Sequence, residues 1–369
     1  MAASSFDQVN IISKPERRSE AEERWVLFQP YLYSKGYRLR PRYQPHWVPS
    51  WKNTNIKPSK CEDSTDSIPI RVLDATRIEN DEQVMIKMIV PTVEGEGLDE
   101  YDLLKYYSTP SLREHPSNHV VPCLDSFPIP GVDLGHFVVM PLLTHYLDLP
   151  FYNIAEVHEL LQQLFDGLIF MHEHNTVHRD IASPNIMMDA RSLYNEPFHP
   201  YYQTLSIDAR RPIYPHHRRS EKGIRYYYID LGYAKWFRDP IVPRLVAGMD
   251  AREPAPEQAD GNPYDPFPAE VYQLGVILRR DLIPKFDFLR ILQPLAQEMT
   301  QDNPTERPGL AAARTRMNAA FSGLPGWKYR WPFIPKHANS SEQWGYFWAG
   351  LAAEVKFWLN RILMTFWGR

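Results

Sequence analysis

The stretch VHRDIASPNIMM, residues 177–188, sets Asp180 five positions ahead of Asn185, with His178 and Arg179 directly before it. Phosphoryl transfer asks for positioning and charge neutralisation more than for covalent chemistry, so it needs a cation clamp and oxygens that can hold a metal. A carboxylate and a carboxamide at this spacing in one loop can face the same phosphate. A His-Arg-Asp triplet also arises by chance, as a capped turn with a solvated Asp, so its surroundings decide. Upstream, Lys87 closes the strand-like VMIK and Glu100 follows in a helical stretch; downstream, IDLG places Asp230 at a strand end. APE covers Ala255 to Glu257, AEVYQLG opens a helix, and DNPTERP brings Arg307 late in the chain. Each signal is weak alone, since a strand-end lysine usually snorkels into solvent and an Asp before Leu-Gly often just forms a turn. Together and in this order they are not.

The elements that must position these residues show in the hydrophobic pattern. PIRVLDATRI and EQVMIKMIV read as two strands around the polar turn ENDE, and HVVPCLDSF and GHFVVMPLL are strand-like again. GLDEYDLLKYY is helical, with Glu100 and Leu104 one turn apart on one face. Asn153 with Glu156 three residues on forms a capping box for the clearest helix, in which Val157, Leu160, Leu161, Leu164, Leu168 and Met171 repeat at helical spacing. Residues 1–24 are polar and expected to be mobile. Residues 25–65 mix aromatics and prolines irregularly, which suggests an extended segment packed on a neighbour. Residues 191–222 form a long excursion, IRYYYIDLG a strand, and the pattern from VYQLGVILRR onward is mostly helical. Strands first and helices afterwards predict an α+β chain of two lobes with a cleft between them.

The chain of 369 residues is 43% hydrophobic and 23% charged, enough for two lobes with an ample core. Its 45 acidic and 41 basic residues give no global pull toward nucleic acid, and no nucleic-acid partner is expected. Cys61 and Cys123 cannot build a disulfide framework, which points to a reducing compartment, intracellular and cytoplasmic. The start MAASSFDQVNIISKPERRSE lacks the apolar core of a secretory signal. The 34 prolines predict long ordered irregular segments.

The ordered motifs resemble those of the eukaryotic protein kinases over residues 68–320. YLYSKGYRLRPRYQPHWVPSW and VLDATR are also similar to a group of kinase-domain proteins from mushroom-type fungi. The resemblance implies a bilobal kinase-like fold, a β-rich N-lobe over a helical C-lobe. Its parts would be an extension at 1–65 packed on the kinase domain, an N-lobe at 66–143, a C-lobe at 144–330 with the insertion 191–222, and an aromatic tail helix at 331–369. ATP and magnesium would be the cofactors. Carried over by motif, Asp180 would accept the proton of the substrate hydroxyl, Asn185 and Asp230 would hold magnesium, and Lys87, braced by Glu100, would hold the α- and β-phosphates. The backbone of Pro141 and Leu143 would meet the adenine edge, where proline is harmless because only its carbonyl is needed. His178, Leu231 and Leu104 would stack with Cys123 or Leu124 in an apolar spine, and Glu257 would pair with Arg307. The implied activity is that of an atypical protein kinase, serine/threonine type, acting on a protein substrate.

Three departures qualify that expectation. RVLDATRIENDEQV, ahead of Lys87, contains no glycine, so no loop there can lay bare backbone amides on phosphates. Ala182 replaces the loop lysine that contacts the γ-phosphate in serine/threonine kinases, and Glu270 stands where the family has an Asp bracing the loop. Residues 233–257 contain neither Ser nor Thr, so no phosphorylation of these types switches that segment, and Arg179 is expected to pair with Asp250 or Glu253. The alternative is a pseudokinase scaffold that binds nucleotide weakly or not at all. A small-molecule kinase of the aminoglycoside or choline type shares the lobe plan, but that family usually lacks Arg179, APE and Arg307.

Two surface features remain. HHRRSEK, 216–222, reads as a solvated loop rather than a phosphate or nucleic-acid site. In the tail, Trp344, Trp348, Leu351, Val355, Leu359, Ile362 and Phe366 line one helical face, while Glu354, Lys356 and Arg361 make spanning a membrane costly. Docking on the chain's own C-lobe is the expectation; the other reading is a peripheral membrane contact through this helix.

Overall fold

The computed structural model describes residues 14–68, 70–92, 95–248, 251–259, 261–334 and 339–367, with side chains of 360, 361 and 363–367 outside that description. Most of the polar start expected to be mobile, Asp250, and the side chains of Arg361 and Phe366 therefore lie outside the described residues. The protein is mixed α+β and divides into two compact units. One comprises residues 1–144, 187–216 and 227–238; the other 145–186, 217–226 and 239–369.

The first unit is built on a five-stranded antiparallel sheet. Its strands are β1 (Tyr37–Arg38), β2 (Val72–Arg77), β3 (Gln83–Ile89), β4 (Asp125–Pro128) and β5 (His136–Pro141), in spatial order β1-β2-β3-β5-β4. β3 is central, and its Val84, Ile86 and Met88 are fully buried. The register sets Lys87 opposite Val72 on one side and Val138 on the other.

Helix α1 (Glu20–Ser34) packs on this sheet. The extended reading of residues 25–34 is thus corrected. Pro30 and the irregular aromatics obscured the helix, but Ser19 and Glu22 form a full capping box at its start. Trp25 and Leu32 are fully buried, and Trp25 and Phe28 meet the Phe137 ring at 6.0 and 5.3 Å. Glu22 is buried too, and both its oxygens accept from the buried Arg42 guanidinium, which also donates to the carbonyls of Pro15 and Asp63. A buried ion pair is tolerable only when so fully hydrogen-bonded.

In the second unit, the helix Ile154–Glu173 begins as expected, with Asn153 Oδ1 accepting from the Glu156 N–H at 3.1 Å. Glu156, however, reaches back to the Tyr152 N–H (2.7 Å) rather than to Asn153, and its other oxygen accepts from Ser220. The expected Glu257–Arg307 pair is present and bidentate, at 2.6 and 2.7 Å. Arg307 also donates to the carbonyls of Gln301, Asp302 and Pro268, so the guanidinium ties the 301–302 loop to the start of the helix Pro266–Val276. The basic run at 216–222 is not simply solvated. It contains a short helix in which Arg219 is buried and donates to the carbonyl of Tyr146 and to the Tyr226 hydroxyl.

The tail is a helix, Ser340–Trp367. It rests on the segment before it, but not by the face expected. Glu354 pairs bidentately with Arg330, Phe347 meets Trp331, and Trp344, Trp348, Leu351, Val355, Leu359 and Ile362 are all exposed. Among the described residues no helix is long and apolar enough to cross a membrane.

Candidate functional site

In the first unit, Lys87, Glu100 and Asp230 come together. Glu100 opens helix α2 (Glu100–Tyr107), so its carboxylate is set by the first turn, and it is buried. The Lys87 ammonium lies 2.6 Å from Glu100 Oε1 and 2.6 Å from Asp230 Oδ1. Burial alone would lower the lysine's pKa; the two carboxylates outweigh it and hold the group above the usual lysine range, so it is a fixed cation. Lys87 is therefore not snorkelling into solvent.

Asp230 has a positive φ of 63°, a conformation that Asp tolerates better than most residues. Its loop is laced to the approach and start of α2. The Gly97 N–H donates to the Gly232 carbonyl at 2.6 Å, Lys235 pairs with Asp99 at 3.1 Å, and Arg238 with Asp102 at 2.6 Å. These links hold Glu100 and Asp230 on the same ammonium.

Lys87 and Asp230 line a cavity of about 380 Å³, which Pro141 and Leu143 also line. That volume suits a nucleoside-sized ligand. Two further walls come from the excursion, Pro200 and Gln203. The excursion, which the sequence left unplaced, thus contributes to the wall of this cavity. Gln83 donates to the Phe198 carbonyl, Arg191 pairs with Glu82, and Gln203 Nε2 donates to the Leu143 carbonyl at 3.0 Å. Gln203 Oε1 is buried without a hydrogen-bond partner. No periodicity announces these contacts, because an irregular segment is placed only by what it packs on.

In the second unit, Asp180 and Asn185 meet. Asn185 Nδ2 donates to Asp180 Oδ2 at 2.8 Å and to the Asp180 carbonyl at 2.9 Å, and both residues are buried. The helix Pro266–Val276 holds this loop. Glu270 Oε1 accepts from the Arg179 N–H at 2.6 Å while its other oxygen meets His172 Nε2, and Gln273 Oε1 accepts from the Ile181 N–H at 3.1 Å. Arg179 needs such anchoring, since a φ of 67° is unfavourable for a residue with a long side chain. Glu270, counted above as a departure, thus holds the loop despite its extra methylene. Gln273, three residues on along the same helical face, was not expected; that spacing is the signal that could have found it.

Arg252 was missed altogether. Its backbone N–H donates to Asp180 Oδ1 at 2.7 Å, and its guanidinium donates to Asn185 Oδ1 at 2.6 Å. Both Asp180 oxygens and the Asn185 amide are therefore engaged within the protein. Ala182 is fully buried, which leaves no open path for a longer side chain there. Of the two partners expected for Arg179, Asp250 lies outside the described residues and Glu253 is held by Arg280 at 2.5 Å, while the Arg179 guanidinium donates to the Ala247 carbonyl at 2.8 Å. His178, Leu104, Leu231 and Cys123 are each buried. Among the described residues no group of three or more His, Cys, Asp or Glu is arranged to hold a metal ion.

No protein-family model matches this chain, and no curated protein matches it either.

Proposed function

We propose that this chain has a bilobal protein-kinase-like fold and is an atypical protein kinase, binding ATP with magnesium and passing the γ-phosphate to a protein hydroxyl. One observation carries the reading: a buried lysine ammonium 2.6 Å from two carboxylates, Glu100 and Asp230, at the wall of a nucleoside-sized cavity. A cation fixed in place beside a cavity is what phosphate binding asks of a protein. In this reading Lys87 meets the α- and β-phosphates, Glu100 braces it, and Pro141 and Leu143 meet the base. Asp230 and Asn185 offer oxygens to magnesium, most of whose other ligands would be phosphate oxygens and water, as is usual for that ion. Asp180 accepts the hydroxyl proton.

Arg252 favours a second reading, in which the same fold binds nucleotide and serves as a scaffold without transfer. Its guanidinium sits on the Asn185 oxygen that the first reading gives to magnesium.

Thermal unfolding with ATP, with and without magnesium, tests binding, because a ligand that prefers the folded state raises its stability by mass action. A phosphate-transfer screen on peptides and proteins tests catalysis. The expected results are magnesium-dependent stabilisation in the wild type, its loss in Lys87→Met, and its weakening in Asp230→Ala. Asp180→Asn should keep binding and lose transfer. A folded wild type with no response to ATP at any magnesium level would sink the nucleotide reading altogether; binding without transfer would leave the scaffold.

A further inference from the structure

The tail helix is held in one rotational setting. A Cβ added at Gly350 would stand 2.6 Å from the Trp331 ring, so that side of the helix is in close contact. Four and seven residues on, both Glu354 oxygens accept from Arg330 at 2.7 Å, and the Arg330 guanidinium lies 3.6 Å from the centre of the Phe357 ring. The polar clamp therefore faces inward, and the apolar stripe is left pointing out. At about 100° per residue, Trp344, Trp348, Leu351, Val355, Trp358 and Ile362 fall within an arc of roughly 80°. Phe347 and Leu359 widen it to about 120°. The three tryptophans are 62%, 60% and 52% exposed, which is far more than a packed helix allows.

Composition names the surface that would cover this face. Residues 326–369 hold six of the chain's ten Trp residues. The same segment has six Lys and Arg against Glu342 and Glu354, a net charge of +4 in a chain whose total is −4. Glu354 is already neutralised by Arg330, while Lys328 and Lys356 are exposed. Tryptophan is favoured at the level of lipid headgroups, where its ring is half apolar and its N–H finds acceptors. A basic amphipathic helix with such a face lies in the plane of an anionic bilayer.

We propose that the tail helix seats this protein on an anionic membrane surface, with the tryptophan stripe in the headgroup region and Lys328 and Lys356 toward the lipid phosphates. A second copy of the chain fits the stripe less well. The stripe does follow a four-three spacing, but three tryptophans are too bulky for knobs in holes at the usual ~8–10 Å between helix axes. The positions flanking the seam are Gly345, Ala352 and Leu359 on one side and Phe347, Glu354 and Arg361 on the other. Since Glu354 is committed to Arg330, no acidic partner remains there for a facing basic residue.

The test is sedimentation of the full chain with vesicles of phosphatidylcholine alone and of phosphatidylcholine mixed equally with phosphatidylserine. Binding to the mixed vesicles with a blue shift of tryptophan emission is expected. Trp348→Ser with Trp358→Ser should lower partitioning at least ~10-fold, since two of the three tryptophans that would insert are lost. Lys356→Gln should lower it roughly 5-fold on the anionic vesicles only. Because Trp348 and Lys356 face solvent, Trp348→Ser alone and Lys356→Gln should leave the unfolding temperature in the absence of lipid unchanged. Failure to bind either vesicle, or binding that ignores the tryptophan substitutions, overturns the proposal. A concentration-dependent dimer that those substitutions abolish, in a chain that ignores vesicles, would assign the stripe to a second copy instead.

Discussion

Arg252 Nη1 lies 2.6 Å from Asn185 Oδ1, while a magnesium ion bound to that oxygen would stand about 2.1 Å from it. If Asn185 takes magnesium as proposed, the like charges of the two cations oppose sharing one oxygen, so the ion would have to displace the guanidinium first. A charge-assisted hydrogen bond is worth roughly 1.5–3 kcal/mol when shielded from water. The Arg252 side chain is 47% exposed and its pair with Asp180 is long at 3.8 Å, so solvent brings the cost of displacement down to about 1–1.4 kcal/mol. Arg252→Ala should therefore tighten magnesium-dependent nucleotide binding by roughly 5–10-fold. The backbone N–H at this position still donates to Asp180 Oδ1 whatever side chain it carries, so Asp180 should keep its place. Magnesium titrations at fixed ATP, followed by calorimetry, measure the effect, with Arg252→Lys as a variant that keeps the charge but loses the planar fork. An unchanged magnesium dependence in a fully folded Arg252→Ala would refute the reasoning, because either Asn185 does not take the ion or Arg252 does not block it.

Three further outcomes follow from the same geometry. Ala182→Lys should cost about 2–4 kcal/mol in denaturant unfolding, because the position is fully buried and would have to house a charge. Under the proposed function, Gln203→Ala should weaken ATP binding several-fold in calorimetry, since Gln203 lines the cavity, and should cost roughly 0.5–1.5 kcal/mol of stability through the lost hydrogen bond to the Leu143 carbonyl; an unchanged affinity would mean that the excursion is only a wall. Burial alone would raise the Glu62 pKa, but His199 and Arg40 outweigh it and hold the carboxyl below its usual range. The stability it contributes is complete above the unfolded value of about 4.3 and is lost as pH falls through the lower folded value. Glu62→Gln should thus flatten the acid limb of a stability–pH curve, and a limb identical to that of the wild type would show that the carboxylate contributes nothing.

Much of what the sequence determined is local, or paired by a fixed order of motifs. A two-residue period and β-branched residues place Lys87 in a central strand, and the first turn of α2 places Glu100; their meeting at 2.6 Å needed only that strand and helix lie side by side. Asn153 as a cap was legible from local spacing, and the Glu257–Arg307 pair from the order of motifs; the bond from Asn185 to Asp180 was not expected, although both sit in one loop. The capping box of Ser19 and Glu22 was equally legible, and the extended reading of α1 overlooked it.

Tertiary structure decided the rest. Arg252 reaches Asn185 across 67 positions and Gln203 reaches Leu143 across 60, and neither partner shares a turn or a strand with the other. Loop residues have no period, so nothing short of the packed chain says which of many acceptors they will find. The tail shows the same limit from another side. Its amphipathic pattern was plain in the sequence, but a stripe of apolar residues says only that a face seeks cover. Arg330, Trp331 and a glycine at 350 settled that a neighbouring side is the one held, because a bidentate ion pair and a close ring contact fix the helix rotation with the tryptophans outward.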